Sequence, residues 1–409
     1  MPRIQPFRAI RPTQESAQAV ASVPYDVVSR SEAASLAEGN SCSFLHVIRP
    51  DINLPSETSP YAVEVYEAGR ASLDRLLTEG VLQKDPDNCL YIYRQIMNEV
   101  PQVGVVCCCH VDDYANDLIR KHEKTRPDKE DDRTRHVLTL NAHAGPVFLS
   151  YRDNQRIDAL VEVVRKTQPL YDFTAEDGVR HTVWRVTDTQ PYVAAMQDVP
   201  VFYVADGHHR SASAWRAAVE RRKSDGRHTG NEEYNWFLAV LFPASQLKIL
   251  SYNRVVRDLH GLTVADFKSR LSTVGRLDPA SNPVPPAPGS FCIYVDGSWH
   301  RLTVPAESID ASDAVSSLDV ALLEDHVLRP ILGIDDVRTD QRIDFVGGVR
   351  GTEELERLVD SDEWAVAMSM YPTSMDQLMS VSDAGRIMPP KSTWFEPKLR
   401  SGLLVHSLD

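Results

Sequence analysis

Residues 201–205 constrain the fold of this chain more than any other stretch. They form a short uncharged run rich in β-branched and aromatic residues, which predicts a buried central strand. Gly207 follows and permits a sharp turn. Residues 211–222 favour a helix with one apolar side. The residues expected on that side are Ala212, Trp215, Ala218 and Val219. The stretch therefore predicts a strand, a tight turn and a helix in succession.

The turn itself carries four functional side chains. Asp206, His208, His209 and Arg210 stand between the predicted strand and the predicted helix. Free N–H groups and the helix dipole favour anions at this place, and the planar donor fork of Arg210 suits phosphate. Asp206 can hold a metal ion or accept a proton from a hydroxyl. The alternative is an ordinary turn with solvated polar residues, but the density of functional groups favours a site.

A second polar segment covers residues 112–135, where little is apolar. Such a charge run is usually a solvated loop and helix start with salt bridges. Here the mixture of His122, Glu123, Thr125 and Arg126 with several lysines also suits a surface that handles anions, with Glu123 as a candidate base. We favour the functional interpretation.

Composition excludes several classes of protein. The 409 residues suffice for two or three domains, and the net charge of −14 argues against non-specific nucleic-acid binding. We expect no membrane span and no export signal. The six cysteines lack paired spacing, and Cys107, Cys108 and Cys109 alternate along a predicted strand, which makes a poor chelate. Buried free thiols and a cytoplasmic location are therefore expected.

The chain divides into four predicted segments. They are an N-terminal α/β region (1–111), a central core (112–276), a proline-rich linker or loop (277–290) and a C-terminal α/β region (291–409). Residues 43–49 are predicted to form a strand that Pro50 stops, and the tail is expected to fold back on the body.

Several catalytic motifs are absent from the sequence. The zinc motif H-E-x-x-H fails because Arg126 stands where the second histidine is needed, and no G-x-S-x-G elbow is present. His208 and His209 are adjacent and would splay apart. Phosphoryl chemistry fits best, with donors around phosphates, a carboxylate for Mg²⁺ and another carboxylate that deprotonates a hydroxyl.

Four blocks of sequence resemble a widespread prokaryotic family, the domain-of-unknown-function 1015 family, whose members are described as SerK-like after the archaeal free-serine kinase. The resemblance covers essentially the whole chain. The blocks are Asp206–Arg210, His122–Thr125, Arg342–Gly348 and Pro389–Leu399.

The resemblance implies an α/β fold with mixed sheets, built on a ParB/sulfiredoxin-like nucleotide-binding core. In that core a D-G-H-x-R turn binds nucleotide phosphates, and an acidic residue lies upstream of a helix and a Gly-Pro-hydrophobic strand. Glu123, residues 136–141 and residues 145–148 match that order.

By this match Glu123 would activate a serine hydroxyl, and Asp206 would be catalytic or associated with Mg²⁺. The residues expected to bind nucleotide phosphates are Gly207, His208, His209, Arg210 and Ser211. The further candidates to contact substrate or phosphate are His122, Thr125, Arg126 and Lys391.

The sequence thus predicts a kinase that transfers phosphate from ATP or ADP, with Mg²⁺, to L-serine or a similar hydroxyl compound. A homodimer is among the expected assemblies. Two alternatives stay open: a nucleotide-binding switch of the ParB-like type without kinase activity, and a metal-dependent hydrolase.

Overall fold

A computed structural model describes all residues, 1–409, and contains 21 strands and 13 α-helices. The strands are β1 (Ile4–Gln5), β2 (Ile10–Pro12), β3 (Leu82–Lys84), β4 (Leu90–Met97), β5 (Val100–His110), β6 (Ile119–Arg120), β7 (Ala142–His143), β8 (Val147–Tyr151), β9 (Tyr171–Thr174), β10 (Arg180–Val186), β11 (Phe202–Asp206), β12 (Trp236–Pro243), β13 (Ile249–Leu250), β14 (Tyr252–Val256), β15 (Arg276–Pro279), β16 (Ser290–Val295), β17 (Ser298–Thr303), β18 (Ile343–Gly347), β19 (Val366–Met370), β20 (Trp394–Phe395) and β21 (His406–Ser407).

The helices lie between these strands. They are α1 (Ala17–Val20), α2 (Arg30–Ala37), α3 (Leu45–Ile48), α4 (Val63–Thr78), α5 (Val111–Ala115), α6 (Pro127–Leu140), α7 (Gln155–Val164), α8 (Gln190–Met196), α9 (His208–Ser224), α10 (Val264–Val274), α11 (Asp319–Leu323), α12 (Glu353–Asp360) and α13 (Met375–Asp383). The expected α/β class with mixed sheets is confirmed.

The chain forms two compact units. The first comprises Met1–Leu247 together with Pro397–Asp409, and the second comprises Lys248–Glu396. The second unit is therefore an insertion between two parts of the first unit in sequence. The four-segment division stays a prediction.

A mixed nine-stranded sheet organises the first unit. Its order is β6-β11-β8-β12-β5-β4-β10-β9, and β1 pairs with β5. β11 runs parallel to β6 and antiparallel to β8, so the short apolar strand lies inside the sheet. Its residues Phe202–Ala205 are buried, as an uncharged run requires.

Helices cover this sheet. The helices α4, α6 and α9 form a packed series, with α6 against both of the others. A core of strand residues includes Cys107 and Cys109, while Cys108 is buried on the other face. All six cysteines are free thiols, as the sequence predicts.

Residues 43–49, which were expected to form a strand, contain a helix instead. Leu45, Val47 and Ile48 of α3 are buried in a cluster that includes Leu73 and Leu76 of α4. The strand prediction is wrong because this packing outweighs the local β preference of the apolar run.

The second unit contains an antiparallel six-stranded sheet in the order β15-β17-β16-β19-β14-β18. The turn Asp296–Gly297 joins β16 to β17 with both residues at positive φ, which is typical of tight hairpins. A buried apolar cluster around Val255, Leu355 and Trp364 packs α12 against the sheet.

Candidate active site

The turn between β11 and α9 forms as the sequence predicts. β11 ends at Asp206, Gly207 has φ +96°, and α9 begins at His208. A side chain is disfavoured at position 207 for two reasons. The positive φ strains an L-residue, and a Cβ atom there would lie 3.0 Å from Nε of Arg210. The glycine therefore brings the Arg210 guanidinium directly against the turn.

Asp206 lies between two cations. Nη2 of Arg210 donates to Oδ2 at 2.8 Å, and Nζ of Lys398 lies 3.7 Å from Oδ1. Burial opposes ionisation of the carboxyl, but the charges of Lys398 and Arg210 outweigh it and hold the pKa of Asp206 well below its usual value. The carboxylate is therefore ionised at neutral pH.

Arg210 is held from several sides. Nη1 donates to the carbonyl of Pro146, and Nη2 also lies 3.8 Å from a carboxylate oxygen of Asp26. Burial disfavours the charge, yet Asp26 and Asp206 raise the pKa of Arg210. The guanidinium is thus a fixed positive charge beside the turn. Arg210 and Ser213 also line a cavity of about 40 Å³.

The two adjacent histidines of the turn have different neighbours, His122 beside His208 and the Arg126 backbone beside His209. His208 is buried, and its ring is perpendicular to that of His122 with centroids 4.5 Å apart. Burial lowers the pKa of His208 to about 4 and that of His122 to about 3, so both are neutral at neutral pH. Nδ1 of His208 lies 3.8 Å from Oε2 of Glu123, whose side chain is 40% exposed. Glu123 is therefore open to solvent beside the turn.

His209 connects the turn to the segment before α6. Its Nε2 accepts a hydrogen bond from the backbone N–H of Arg126 at 3.1 Å. The Arg126 side chain is 70% exposed and pairs with Asp128 at 2.9 Å, and the Thr125 hydroxyl donates to Glu130. The structure thus brings the 122–126 segment and the Asp206 turn together, with Thr125 and Arg126 engaged in local contacts at the start of α6.

The remaining two candidates lie in different surroundings. Ser211 is completely buried, and its hydroxyl donates to the carbonyl of Gly207 at 3.2 Å, which closes the first turn of α9. Lys391 belongs to the second unit, where its Nζ lies 5.5 Å from the ring centroid of Tyr252 and its backbone has φ +58°.

Sequence reasoning missed two charged residues of this site. Lys398 stands inside the resembling block Pro389–Leu399, and Asp26 inside the Pro-containing stretch 23–28, but neither was assigned. Both are remote from Asp206 in sequence and reach it only through the fold. The one feature of the sequence that pointed to Lys398 was its position in the block Pro389–Leu399, which resembles the family.

Two further findings concern metals and membranes. No cluster of three or more histidine, cysteine, aspartate or glutamate side chains is placed to hold a metal ion. None of the helices combines the length and the apolar character needed to cross a bilayer.

Fold and site together define an α/β protein with a charged turn at a helix N-terminus. The chain belongs to the family described as "Protein of unknown function (DUF1015)", whose model matches residues 4–321. No curated protein matches the sequence.

Solved structures give distant matches. One is a C-terminally truncated SbnI from Staphylococcus aureus, with 14% identity, TM-score 0.39, and coverage of 74% of this chain and 87% of that one. A conserved hypothetical protein from Pyrococcus furiosus has 13% identity, TM-score 0.35 and coverage of 75% and 95%. A free serine kinase in complex with AMP has 12% identity, TM-score 0.34 and coverage of 74% and 91%.

Proposed function

We propose that the protein is a phosphotransferase that moves a phosphoryl group from ATP or ADP to the hydroxyl of L-serine or a similar small compound. The observation that carries the proposal is the Asp206 turn: an ionised carboxylate between Arg210 and Lys398, at the N-terminus of a long helix. The resemblance of four sequence blocks to SerK-like proteins agrees with it.

The start of α9 is suited to phosphate. The first N–H groups of a helix lack intrahelical acceptors, and the helix dipole adds positive potential there. Gly207 carries no side chain, and the Arg210 guanidinium lies close to where a Cβ atom would be, so a phosphate at the first N–H groups of α9 would also meet this cation. Because His208 is neutral, the positive charges beside the turn are those of Arg210 and Lys398.

Glu123 is the candidate general base. Its partly exposed carboxylate can accept the proton of an acceptor hydroxyl. The hydroxyl oxygen forms a bond to the terminal phosphorus while the bond to the bridging oxygen breaks. ADP leaves when ATP is the donor, and AMP leaves when ADP is the donor. The proton rests on Glu123 until it passes to water.

Asp206 is the residue that would hold Mg²⁺. Its Oδ1 lies 3.7 Å from Lys398, beyond hydrogen-bond distance, which fits an oxygen that can also face a cation. Mg²⁺ is commonly bound by one or two carboxylates together with substrate phosphates. When bound, the ion would neutralise charge on the phosphates.

Phosphorus NMR tests this proposal. Purified protein is incubated with Mg²⁺, either ATP or ADP, and L-serine, and each mixture is compared with one that lacks serine. A phosphoserine resonance with loss of the donor supports the proposal, and the by-product identifies the donor. Absence of any phosphorylated product with serine and related hydroxyl compounds contradicts it.

A nucleotide-binding switch without transfer activity is the second candidate. Arg210 and Lys398 already balance the charge of Asp206, and this arrangement of charges can bind a nucleotide without any transfer of phosphate. Nucleotide binding that is unaffected by serine, with no turnover, would favour the switch over the kinase.

A further inference from the structure

We propose that a cavity beside the Asp206 turn binds the acceptor by its carboxylate end, and that the acceptor is a small carboxylic acid with an amino or hydroxyl group next to the carboxylate. This inference rests on the proposed function and adds a binding site to it. The cavity has a volume of about 40 Å³ and lies within the first unit. Arg210 lines the cavity and also donates to Asp206, so the cavity borders the turn.

The wall of the cavity presents two cations and no carboxylate. Arg133 and Arg210 are among the lining residues, whereas every aspartate and glutamate lies outside the lining. Arg133 uses Nε and Nη2 to bind Asp132, at 2.9 and 2.8 Å, so its third nitrogen, Nη1, takes no part in that ion pair. Because Asp132 and Asp206 offset part of the charge of the two arginines, the wall suits a single carboxylate better than a polyphosphate.

His143 provides an acceptor at the same wall. The residue lines the cavity, its side chain is buried, and its Nε2 has no hydrogen-bond partner within the protein. Burial lowers the pKa of His143 to about 3, so the ring is neutral. The ring hydrogen-bonds to the backbone of Trp236, an interaction that raises its pKa and therefore uses a ring N–H. Because Nε2 has no partner, that N–H is at Nδ1, and Nε2 is an acceptor.

A buried acceptor of this kind needs a donor. An amino or hydroxyl group next to the ligand carboxylate would supply that donor while the carboxylate binds Arg133. With both groups inside the cavity, the hydroxyl of L-serine is the group that is left for phosphoryl transfer.

The size of the cavity limits the ligand to a small head group. One water needs about 10–15 Å³ of such volume, so the cavity takes about three groups of that size. Gly145 preserves this space, because a Cβ atom there would lie 3.3 Å from Oγ of Ser401 and 3.8 Å from Cδ of Arg210. All three residues line the cavity. A carboxylate with its neighbouring amino or hydroxyl group matches this volume, and a triphosphate chain exceeds it.

Calorimetry on wild type tests the class of ligand, both without nucleotide and with saturating AMP. The four ligands are L-serine, glycerate, 3-hydroxypropionate, which lacks the donor next to the carboxylate, and ethanolamine, which lacks the carboxylate. We expect L-serine and glycerate to bind, and each of the other two to bind at least about 10-fold more weakly. Equal affinity for all four ligands, or no binding of L-serine under either condition, would overturn the inference.

Variants test the place of binding. Arg133→Met removes the cation, and His143→Phe removes the acceptor but retains an aromatic ring beside His406, whose ring centroid lies 5.7 Å away. Arg135→Met, at an exposed position on the same helix, is the matched control. We expect the first two variants to raise the Kd and KM for L-serine at least about 10-fold and to leave the nucleotide Kd unchanged. His143→Phe should also lose the preference for L-serine over 3-hydroxypropionate.

The proposed function and this inference fail separately. Binding of L-serine that depends on Arg133 and His143, without any phosphorylated product, supports the cavity and removes the kinase. Phosphoserine formation with the same KM in these variants and in the control overturns the cavity and leaves the kinase standing. If thermal melting shows that Arg133→Met does not fold, Gly145→Ala takes its place, because it narrows the cavity without removing a charge. An unchanged Kd for L-serine in Gly145→Ala would then count against the cavity.

Discussion

Arg210 donates to Asp206 at 2.8 Å across the turn whose single central residue is Gly207. This ion pair joins the end of the buried strand β11 to the first turn of the long helix α9. It fixes the position of the Asp206 carboxylate and leaves the other charged groups of the site unpaired by it. Lys398 adds a second cation to the same carboxylate. The balance between the Asp206 carboxylate and these two cations therefore affects both the stability of the fold and the proposed phosphoryl transfer.

Asp206→Asn should abolish turnover while the protein still folds. The neutral amide removes the negative charge that faces Arg210 and Lys398, so we expect the free energy of unfolding to fall by about 1–3 kcal/mol and kcat to fall at least about 100-fold. Phosphorus NMR and urea unfolding measure the two effects. Asp198→Asn is the control, since Asp198 forms an exposed ion pair with Arg156. Turnover equal to that of the control would remove Asp206 from the mechanism.

Glu123→Gln tests the general base. The amide keeps the size of the side chain but cannot accept the hydroxyl proton, so we expect kcat to fall about 100-fold or more with little change in nucleotide Kd. Glu220→Gln, at an exposed position on α9, serves as the control. A Glu123→Gln variant with unchanged kcat would show that another group takes the proton.

Gly207→Ala tests the close approach of backbone and guanidinium. Gly178 is a matched control, because its φ is also positive, at +79°, and a Cβ atom there would meet nothing within 4 Å. A Cβ atom at position 207 would instead lie 3.0 Å from Nε of Arg210. Gly178→Ala should cost about 1 kcal/mol of unfolding free energy from the positive φ alone. Gly207→Ala should cost more and should also weaken nucleotide binding. Equal losses in the two variants would contradict the role of close approach.

Acidification should destabilise the protein through its buried histidines. Burial is the main cause that lowers the pKa of four of them to about 3 and of one to about 4, from an ordinary value of 6.5. They are His122, His136, His143, His181 and His208. The unfolded chain binds more protons than the folded chain between these values, so stability is present above about pH 6.5 and is lost as the pH falls. Each such group contributes about 1.4 kcal/mol per pH unit in that window.

Urea unfolding between pH 8 and pH 5 measures this loss. His136→Gln retains a donor for the carbonyl of Val47, to which His136 Nε2 is bonded at 2.9 Å, but removes one titrating group. The variant should take up about one proton fewer on unfolding near pH 5. At pH 8, the difference in unfolding free energy between His136→Gln and wild type gives the packing cost of the substitution. The same pH slope in variant and wild type would show that His136 is not a source of the acid sensitivity.

The local part of the site was predictable from sequence. Asp206, Gly207 and the start of α9 are contiguous, and a buried apolar run followed by glycine and helix-forming residues determines their geometry. The prediction of which α9 residues are buried was only half right. Ala212 and Ala218 are buried, but Trp215 is 37% exposed. α9 packs against α5, α6 and the sheet, and small side chains allow this close contact.

The distant part of the site was not predictable in the same way. Lys398 and Asp26 reach the Asp206 turn through long-range packing, and no periodicity along the chain encodes that proximity. The helix at 45–48 was missed for a related reason, because its apolar residues are organised by contacts with α4. Local sequence patterns thus predicted the turn with Asp206 and Arg210, and tertiary contacts added Lys398 and Asp26.

The insertion of the second unit before Lys398 has a consequence for protein synthesis. A ribosome that has made the Asp206 turn must still translate Lys248–Glu396 before it reaches this lysine. A nascent chain arrested anywhere within that insertion contains the strand, the glycine and Arg210 but lacks the second cation. Incomplete translation products would therefore carry the turn without its full charge, and the site would be assembled only on chains that have passed through the entire insertion.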